Sequence, residues 1–424
     1  MNTKEQPSQV VEYRCPGQQH PISRAVHLGR LAAFYPVCRQ CPHRDQTGTL
    51  SPRQVEQLQE VRSHGQPRSL FHDEGAGGVY LNDLAPADAR DIAAAFGVAM
   101  RGEGRGAGDE GPEIIFAGDG RPITAELTAA VGEGLRWSGC DVVDIGPATA
   151  ACLAFAIHDL HAAGGILIDN PGEEPHRVGM QFWSAGPRPL SAGGSLEPIV
   201  ELYRTGVDRP ARHYGALCRV QADVPYLAAM SEHYHAMRPL RVVLDSASRP
   251  LVEYLQRLAA AVACQVIPSR VMRRDLPEQV RADAAHFAVC VDGETCRVLD
   301  EQGRTVPRER LLLLLARQSL QMRPDGAGQT PVIVLEPSTP NAVIRKIEEL
   351  GGRVVTGGAR RAEMAAAMSK HDAVLGGGPS GRFWHRETGV PLPDALMTVT
   401  RLLVLLSRSG EPFSTVLDRE AVIM

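Results

Sequence analysis

The residues best suited to bind a metal are three cysteines and a histidine near the N-terminus. Their spacing is C-x4-H-x17-C-x2-C. Two short ligand pairs separated by a longer segment are typical of a structural zinc site, because each pair makes a tight turn and the metal joins two otherwise unconnected segments. His27 and His43 are competing ligands, and surface thiols in a weakly ordered arm are the alternative. The predicted zinc ligands are Cys15, His20, Cys38 and Cys41.

A polar loop follows an apolar run in the stretch GGILIDNPGEEPHRVGMQF, residues 164–182. Apolar β-formers that lead into a loop with Pro and Gly predict a buried strand, and ligands of open α/β sheets bind outside the carboxyl ends of such strands. The chain has no Ser, Thr, Cys, Lys or Tyr from residue 164 to residue 182. If this loop belongs to an active site, it has no obvious nucleophile.

Four other polar residues have both a functional and a structural interpretation. Asp119 and Arg121 either contact a ligand or form a buried ion pair that fixes the loop after a strand. Asp245 ends a predicted strand, where we expect it to cap the loop before the next helix. Ser380 lies among turn residues without a nearby His-acid pair, which favours a turn hydroxyl over a nucleophile.

The elements that must position these residues form one pattern three times: a strand, a helix and a second strand. This spacing suits a crossover between parallel strands, so we expect three α/β domains in series with parallel sheets. The predicted elements are Glu113–Gly118, Ala125–Trp137 and Asp141–Ile145, then Leu240–Asp245, Leu251–Ala261 and Cys264–Pro268, then Pro331–Glu336, Ala342–Leu350 and Arg353–Thr356. The predicted domains are 69–208, 209–323 and 324–424, after an arm at 1–68 with a helix at 52–63 and a linker at 63–69.

Composition excludes several classes of function. The 424-residue chain has a net charge of −4 with both signs evenly mixed, so it lacks the basic footprint of a nucleic-acid or membrane-surface protein. No apolar run is long enough to span a membrane, and the N-terminus lacks the apolar core of a signal peptide. The nine cysteines fit reduced thiols better than a disulfide framework. We therefore expect a cytoplasmic protein.

The order of several motifs resembles a known family. FHDEGAGG at 71–78, DGRPITAEL at 119–127 and DIGPATAACLAFA at 144–156, together with the loop at 164–182, resemble domain one of the α-D-phosphohexomutases, particularly bacterial phosphomannomutase/phosphoglucomutase. CVDGETCRVLDEQG at 290–303 occupies the place of that family's metal loop, and GGGPSGRFW at 376–384 resembles its sugar-recognition loop. The resemblance covers residues 69–424 and implies three serial α/β/α domains behind a small zinc-ribbon-like arm.

The loop at 164–182 departs from the family pattern at the reacting residue. Family members carry a phosphoserine in a Thr-Ala-Ser-His-Asn-Pro loop. Aligning both ends of the loop without a gap places Pro171 at the serine, whereas matching Asn170-Pro171 to Asn-Pro places Ile168 and Asp169 at Ser and His. In either alignment no hydroxyl is present to carry the phosphoryl group between the two transfer steps.

The metal loop also departs from the family pattern, at two of the three positions that hold the metal. Three Asp residues hold Mg²⁺ in the family, and Asp292, Glu294 and Cys296 stand at those positions here. Mg²⁺ requires hard oxygen ligands in tight octahedral geometry, so we expect it to be bound poorly or not at all. Arg297 matches the family's following Arg and is expected to keep a structural ion pair.

The remaining departures concern ligand recognition. In the sugar loop, Gly378 replaces Glu and Arg382 replaces His, so Arg382 would attract a phosphate or carboxylate but could not move a proton. The family's fourth domain, which carries a phosphate clamp, is expected to be absent. The candidate ligand-binding residues are Asp119, Arg121, Arg297, Ser380 and Arg382.

These departures favour a phosphohexomutase-like protein without mutase activity, which acts as a regulatory or scaffolding protein through an unknown protein partner or binds a sugar phosphate. The alternative is a residual or altered enzyme of carbohydrate metabolism, an isomerase of the phosphomannomutase/phosphoglucomutase type, which would use Asp292, Glu294 and Cys296 with a soft metal. A third hypothesis, a nucleic-acid adaptor, depends on the N-terminal arm alone and lacks a basic stripe.

Overall fold

The structure of the chain is a computed structural model that describes residues 12–15, 19–62, 69–103, 111–170, 174–207, 213–322, 330–386 and 389–419. Within these ranges the strands form one two-stranded sheet near the N-terminus and three larger sheets. The larger sheets follow one another along the chain, so each is described as one unit.

The N-terminal arm contains two short antiparallel strands and two helices that pack on the first unit. Its apolar residues Leu31, Phe34, Leu58 and Val61 belong to the same hydrophobic core as the first sheet. The predicted linker at 63–69 lies outside the described residues except for Ser69. The elements are β1 (Glu12–Tyr13), β2 (Ile22–Ser23), α1 (Arg24–Ala32) and α2 (Pro52–Arg62).

The first unit is a mixed sheet covered by helices. Its elements are β3 (Phe71–His72), β4 (Gly75–Val79), α3 (Pro86–Glu103), β5 (Glu113–Gly118), α4 (Ala125–Trp137), β6 (Asp141–Pro147), α5 (Ala150–Asp159), β7 (Gly164–Asp169), β8 (Arg177–Ser184), β9 (Arg188–Pro189), α6 (Glu197–Thr205) and β10 (Leu217–Arg219). The strand order is β10-β6-β5-β7-β8-β4-β3, with β9 beside β8. All six residues of β7 are buried, as expected for a strand covered on both faces. Because β10 pairs with β6, the first sheet continues beyond residue 208.

The second unit has a smaller sheet. Its elements are α7 (Asp223–Ser231), β11 (Arg241–Ser246), α8 (Arg249–Ala260), β12 (Gln265–Pro268), α9 (Leu276–Ala282), β13 (Phe287–Asp292), β14 (Thr295–Asp300) and α10 (Arg308–Gln321). The order is β12-β11-β13-β14, and only the β13–β14 pair is antiparallel among these strands. The predicted capping role of Asp245 is wrong, because α8 begins after Ser248, whose Oγ accepts a hydrogen bond from the backbone N–H of Leu251.

The third unit repeats the pattern. Its elements are β15 (Val332–Leu335), α11 (Asn341–Glu349), β16 (Arg353–Thr356), α12 (Arg361–Lys370), β17 (Leu375–Gly377), β18 (Phe383–His385), β19 (Leu392–Pro393), α13 (Ala395–Ser409) and α14 (Phe413–Asp418). The order is β16-β15-β17-β18-β19. Asp394 caps α13, since its carboxylate accepts a hydrogen bond from the backbone N–H of Met397 at 3.0 Å.

The predicted α/β class is confirmed, but the sheets are mixed rather than parallel because hairpins such as β7–β8 and β13–β14 end the parallel runs. One continuous apolar core joins the three units through α5, α8, α10 and α13. This shared core holds the ends of β7, β13 and β17 toward one cleft. Among the described residues no helix is both long and apolar enough to cross a bilayer.

Candidate functional site

The candidate site is a cleft where loops from all three units meet. The cavity has a volume of about 870 Å³, and its walls come from the turn before β4, the end of β7, the β13–β14 hairpin and the start of α12. The hairpin also contacts the loop after β17, because the backbone N–H of Cys296 donates to the carbonyl of Gly381 at 2.8 Å. The structure thus brings together the three loops singled out in the sequence.

Asp119 and Arg121 form an ion pair that holds the backbone at the start of β8. The Asp119 carboxylate is buried and accepts a hydrogen bond from Arg121 Nε at 2.5 Å. Arg121 Nη1 donates to the backbone carbonyls of Pro175 at 2.9 Å and Arg177 at 3.2 Å. Because these donors are engaged by protein atoms, the structural interpretation of Arg121 describes the arrangement observed.

Asp169, the last residue of β7, is a buried carboxyl group that the sequence did not single out as a site. Its Oδ2 accepts a hydrogen bond from Gln181 Nε2 at 2.6 Å, whereas its buried Oδ1 has no hydrogen-bond partner. Burial, together with the nearby Asp119 carboxylate, raises the pKa of Asp169 to about 8. Asp169 is therefore mainly protonated at neutral pH and can give or take a proton at the end of the strand.

The first position of the predicted metal loop is occupied by an ion pair. Asp292 Oδ2 accepts a hydrogen bond from Arg273 Nη1 at 2.6 Å, and Arg273 Nη2 also contacts Asp292 Oδ1. Arg273 Nε donates to Asp245 Oδ2 at 2.6 Å. Both Asp292 oxygens thus face one guanidinium group, which competes with any cation at this position.

The other two positions of the metal loop are also unsuited to Mg²⁺. Glu294 Oε1 lies 3.2 Å from Arg361 Nη1, and Glu294 Oε2 lies 3.5 Å from Arg382 Nε. Burial raises the pKa of the Cys296 thiol to about 12, so this residue is a neutral thiol at ordinary pH. Two ion-paired carboxylates and a buried thiol do not fit a hard octahedral cation.

A buried network of charges crosses the cleft between the first and third units. Arg382 Nη1 and Nη2 bind the two carboxylate oxygens of Glu74 at 2.8 and 2.6 Å. The Arg361 side chain is only 2% exposed, and its Nη2 donates to the backbone carbonyl of Glu74 at 2.6 Å. Arg361 Nη1 also contacts Gln181 Oε1, which links the network to Asp169. The predicted ligand residue Arg382 therefore holds a carboxylate of the protein itself.

The remaining predicted ligand residues have simpler surroundings. Ser380 Oγ contacts Glu336 Oε1, and its backbone N–H donates to Glu336 Oε2 at 2.9 Å, as expected for a turn hydroxyl. Arg297 lies on β14 and is exposed. Pro171 lies outside the described residues, so its predicted position opposite the family's serine is a statement about sequence only.

The three cysteines of the arm are buried near one another. Burial raises the pKa of the Cys15 thiol, and it raises the pKa of the Cys38 thiol to about 11. The neighbouring cysteines add to both shifts. His20 is exposed, and among the described residues no group of three or more His, Cys, Asp or Glu side chains is arranged to hold a metal ion. The zinc site with Cys41 and the other ligands stays a prediction, and it requires the thiols to rearrange around an ion.

The arm also contacts the loop after β7. Glu60 Oε2 on α2 lies 2.8 Å from Nε2 of the buried His176, and the ring centroids of Phe34 and His176 are 6.0 Å apart. His176 in turn accepts a hydrogen bond from Tyr80 N–H at its backbone carbonyl. His176 therefore joins the arm to the backbone just before β8.

Sequence reasoning missed Glu74, Gln181, Arg273 and Arg361 as members of the site. Glu74 lies inside the motif FHDEGAGG, in the turn between β3 and β4, and no local pattern marks it as a site residue. Arg361 begins a helix after a Gly-Gly pair, which is a weak signal for an anion-binding helix start. Nothing local in the sequence connects the two, because they are 287 residues apart.

Comparisons with known proteins agree with this architecture. Residues 68–200 match the family described as phosphoglucomutase/phosphomannomutase, alpha/beta/alpha domain I. A phosphoglucomutase/phosphomannomutase from Thermococcus kodakarensis is 26% identical over 82% of this chain and 79% of its own length. A probable phosphoglucosamine mutase from Methanopyrus kandleri is 26% identical over 72% of this chain and 71% of its own. The crystal structure of a phosphoglucomutase/phosphomannomutase family protein from Burkholderia thailandensis has the same fold, with a TM-score of 0.72, 22% identity, and coverage of 83% of this chain and 79% of that one.

Proposed function

Because this chain belongs to the α-D-phosphohexomutase superfamily, we propose that its cleft binds a phosphorylated sugar and that the chain does not carry out mutase transfer through a phosphoserine. In this role it acts as a sugar-phosphate-binding protein that regulates or supports a partner protein. The second candidate is the mutase reaction for which the relatives are named.

The absence of a hydroxyl group in the segment between β7 and β8 carries the proposal. In a phosphoserine mechanism the serine oxygen forms a bond to phosphorus while the sugar O–P bond breaks, and the proton passes to the sugar oxygen. Residues 169–176 read DNPGEEPH and offer no hydroxyl. The protonated Asp169 can donate a proton, but its buried and neutral carboxyl group is a poor nucleophile.

The metal loop supports the same proposal. The carboxylates of Asp292 and Glu294 are engaged by Arg273, Arg361 and Arg382. A cation would have to displace guanidinium groups from both carboxylates before it could stabilise a transferring phosphoryl group. The site therefore stabilises the charge of a transferring phosphoryl group less well, and it also lacks a hydroxyl that could carry that group.

The cleft keeps features that suit an anionic ligand. Its volume of about 870 Å³ is comparable with known small-molecule sites. Arg177 and Arg360 line it with side chains that are 31% and 36% exposed, so both can approach a ligand from solvent. Arginine binds phosphate through paired N–H groups, which favours a phosphate monoester over a neutral sugar.

The second candidate is an intramolecular phosphotransferase of the phosphomannomutase/phosphoglucomutase type. The comparisons alone favour this candidate over the first, because the two curated relatives above carry mutase names. It requires a carrier other than a serine in the loop after β7. It also requires the ion pairs of Asp292 and Glu294 to open when substrate binds.

One set of assays on the purified full-length chain separates the candidates. Interconversion of glucose 1-phosphate and mannose 1-phosphate with their 6-phosphates is followed by ³¹P NMR with Mg²⁺, Mn²⁺ or Zn²⁺. We expect no turnover above the buffer rate, and a rise in melting temperature with millimolar mannose 1-phosphate but not with mannose. Metal-dependent turnover would overturn the first candidate in favour of the second. No turnover and no thermal shift with any hexose phosphate would overturn both.

A further inference from the structure

Glu74 occupies a place in the cleft that is built like an anion-binding site. Its Oε1 accepts the first backbone N–H of α12, from Arg361, at 2.9 Å. Both carboxylate oxygens accept hydrogen bonds from the fork of Arg382. A helix N-terminus and a bidentate arginine are the groups that proteins use to hold phosphates and carboxylates.

Arg361 supplies a second positive charge beside the Glu74 carboxylate. Its side chain is almost fully buried, and its Nε has no hydrogen-bond partner. That Nε lies 3.6 Å from Glu74 Oε2. An ion pair at this distance leaves a buried donor unsatisfied, which costs free energy that a better placed oxygen would recover.

The charges around Glu74 leave an excess of positive charge when its carboxylate is removed. Arg361 and Arg382 would then share Glu294, which lies 3.2 Å from Arg361 Nη1 and 3.5 Å from Arg382 Nε. Although burial opposes ionisation of Glu74, hydrogen bonds from Arg382 and the charge of Arg361 lower its pKa. Two guanidinium groups against one carboxylate attract a further anion.

Glu74 belongs to a turn and not to a helix or strand of the core. It lies in the turn between β3 and β4, a two-residue strand and a five-residue strand at the end of the first sheet. The turn borders the cavity of about 870 Å³ that also contains Arg382. The donors of the anion site, in contrast, belong to α12 and the loop before β18 in the third unit.

We propose that Glu74 is an internal occupant of an anion site formed by Arg361, Arg382 and the N-terminus of α12, and that the phosphate group of a ligand replaces it. The identity of the ligand as a phosphorylated sugar rests on the proposed function, whereas the anion site does not. Binding then weakens the contact between the first and third units, because the ligand releases the Glu74 carboxylate from Arg382 and α12.

The test measures phosphate affinity in the full-length protein with and without the competing carboxylate. Inorganic phosphate and mannose 1-phosphate are titrated by isothermal calorimetry into wild type, Glu74→Gln and Glu74→Asp at constant ionic strength. We expect Glu74→Gln to bind inorganic phosphate at least about tenfold more tightly than wild type, because the amide cannot compete as an anion. Glu74→Asp keeps the charge but shortens its reach, so we expect an intermediate affinity.

Two further variants separate this site from a general change in charge. Glu349→Gln removes one carboxylate that is paired with Lys346 on α11, outside the cleft, and should leave phosphate affinity unchanged. Adding Arg382→Gln to Glu74→Gln should abolish the gain. If neither Glu74 variant binds phosphate more tightly than wild type, the inference is wrong even where wild type binds mannose 1-phosphate. If Glu74→Gln gains phosphate affinity while no variant binds a sugar phosphate, the anion site stands and the proposed function fails.

Discussion

The cleft and the N-terminal arm both bury clusters of titratable side chains, but they compensate for that burial differently. In the cleft, the carboxylates of Glu74 and Glu294 face the guanidinium groups of Arg361 and Arg382. In the arm, Cys15 interacts with the Cys41 sulfur, and burial raises the pKa of the Cys15 and Cys38 thiols. Ion pairs can satisfy buried carboxylates without a cation, whereas clustered thiols become strong ligands only when a metal displaces their protons.

The cleft and the arm therefore differ in the kind of ion that each can bind. A cation in the cleft must break existing ion pairs, but a soft cation in the arm would replace weak contacts between thiols by metal–sulfur bonds. An anion, in contrast, finds suitable donors in the cleft, because Arg382 already binds both oxygens of one carboxylate there. We therefore expect the cleft to select anions and the arm to select zinc.

Among the predicted variants, we expect the largest loss of stability from replacing Arg361 in the cleft. Arg361→Met leaves Glu74 and Glu294 to share the guanidinium group of Arg382, so we expect the free energy of unfolding to fall by about 3 kcal/mol. Urea denaturation followed by circular dichroism measures the loss. Arg360→Met, at the neighbouring and 36% exposed arginine, should cost less than about 1 kcal/mol. Equal losses in the two variants would show that the buried network does not stabilise the fold.

The arm is tested through its metal content. We expect wild type to retain about one zinc ion per chain, and Cys38→Ser combined with Cys41→Ser to retain none. Metal analysis after gel filtration measures this, and loss of the ion should destabilise the protein by about 2 kcal/mol through mass action. Cys218→Ser with Cys264→Ser, outside the arm, is the matched control. The same zinc content in both double variants would refute the site.

Asp169 is a carboxyl group of the cleft whose burial is only partly compensated, because its buried Oδ1 lacks a hydrogen-bond partner. Its pKa is about 8 in the folded protein against an ordinary value of 3.8, so the folded state holds a proton that the unfolded state releases between these pH values. Stability should therefore fall as pH rises, by up to about 1.4 kcal/mol for each unit between pH 5 and 7.

Asp169→Asn isolates this effect because the amide does not titrate. The stability of the variant relative to wild type should increase from pH 5 to pH 7, as measured by urea denaturation at each pH. Asp119→Asn provides a contrast, since Asp119 is paired with Arg121 and its loss should destabilise the protein at both pH values. A constant difference between wild type and Asp169→Asn would mean that Asp169 is ionised in the folded state.

The sequence predicted the elements of the fold better than the contacts of the site. The helix Ala125–Trp137 was predictable to its ends because Leu127, Val131 and Leu135 recur at helical spacing and form its buried face. The strands Glu113–Gly118 and Arg353–Thr356 are likewise found at their predicted bounds. Local periodicity determines such elements, so a single stretch of sequence contains the information.

The site depends on contacts that no local pattern encodes. The Asp119–Arg121 pair was one of the two predicted arrangements because both partners lie in one loop, whereas Glu74 meets Arg361 only after three units have packed together. The same reason explains the missed ion pair of Asp292, since Arg273 follows a different strand of its sheet. Substitutions visible in the sequence show which family groups are missing, but only packing shows which residues engage those that remain.

Restoring the missing hydroxyl is expected to have the smallest effect. Pro171→Ser places a serine at the position that the family alignment assigns to the phosphoserine. We expect no mutase turnover by ³¹P NMR and no phosphorylated loop peptide by mass spectrometry, because Asp292 and Glu294 remain in ion pairs and Cys296 remains a buried thiol. Pro171→Ala is the matched control for changes in the loop backbone. Turnover by the serine variant alone would show that substrate opens those ion pairs, and the cleft would then resemble the arm in accepting a cation.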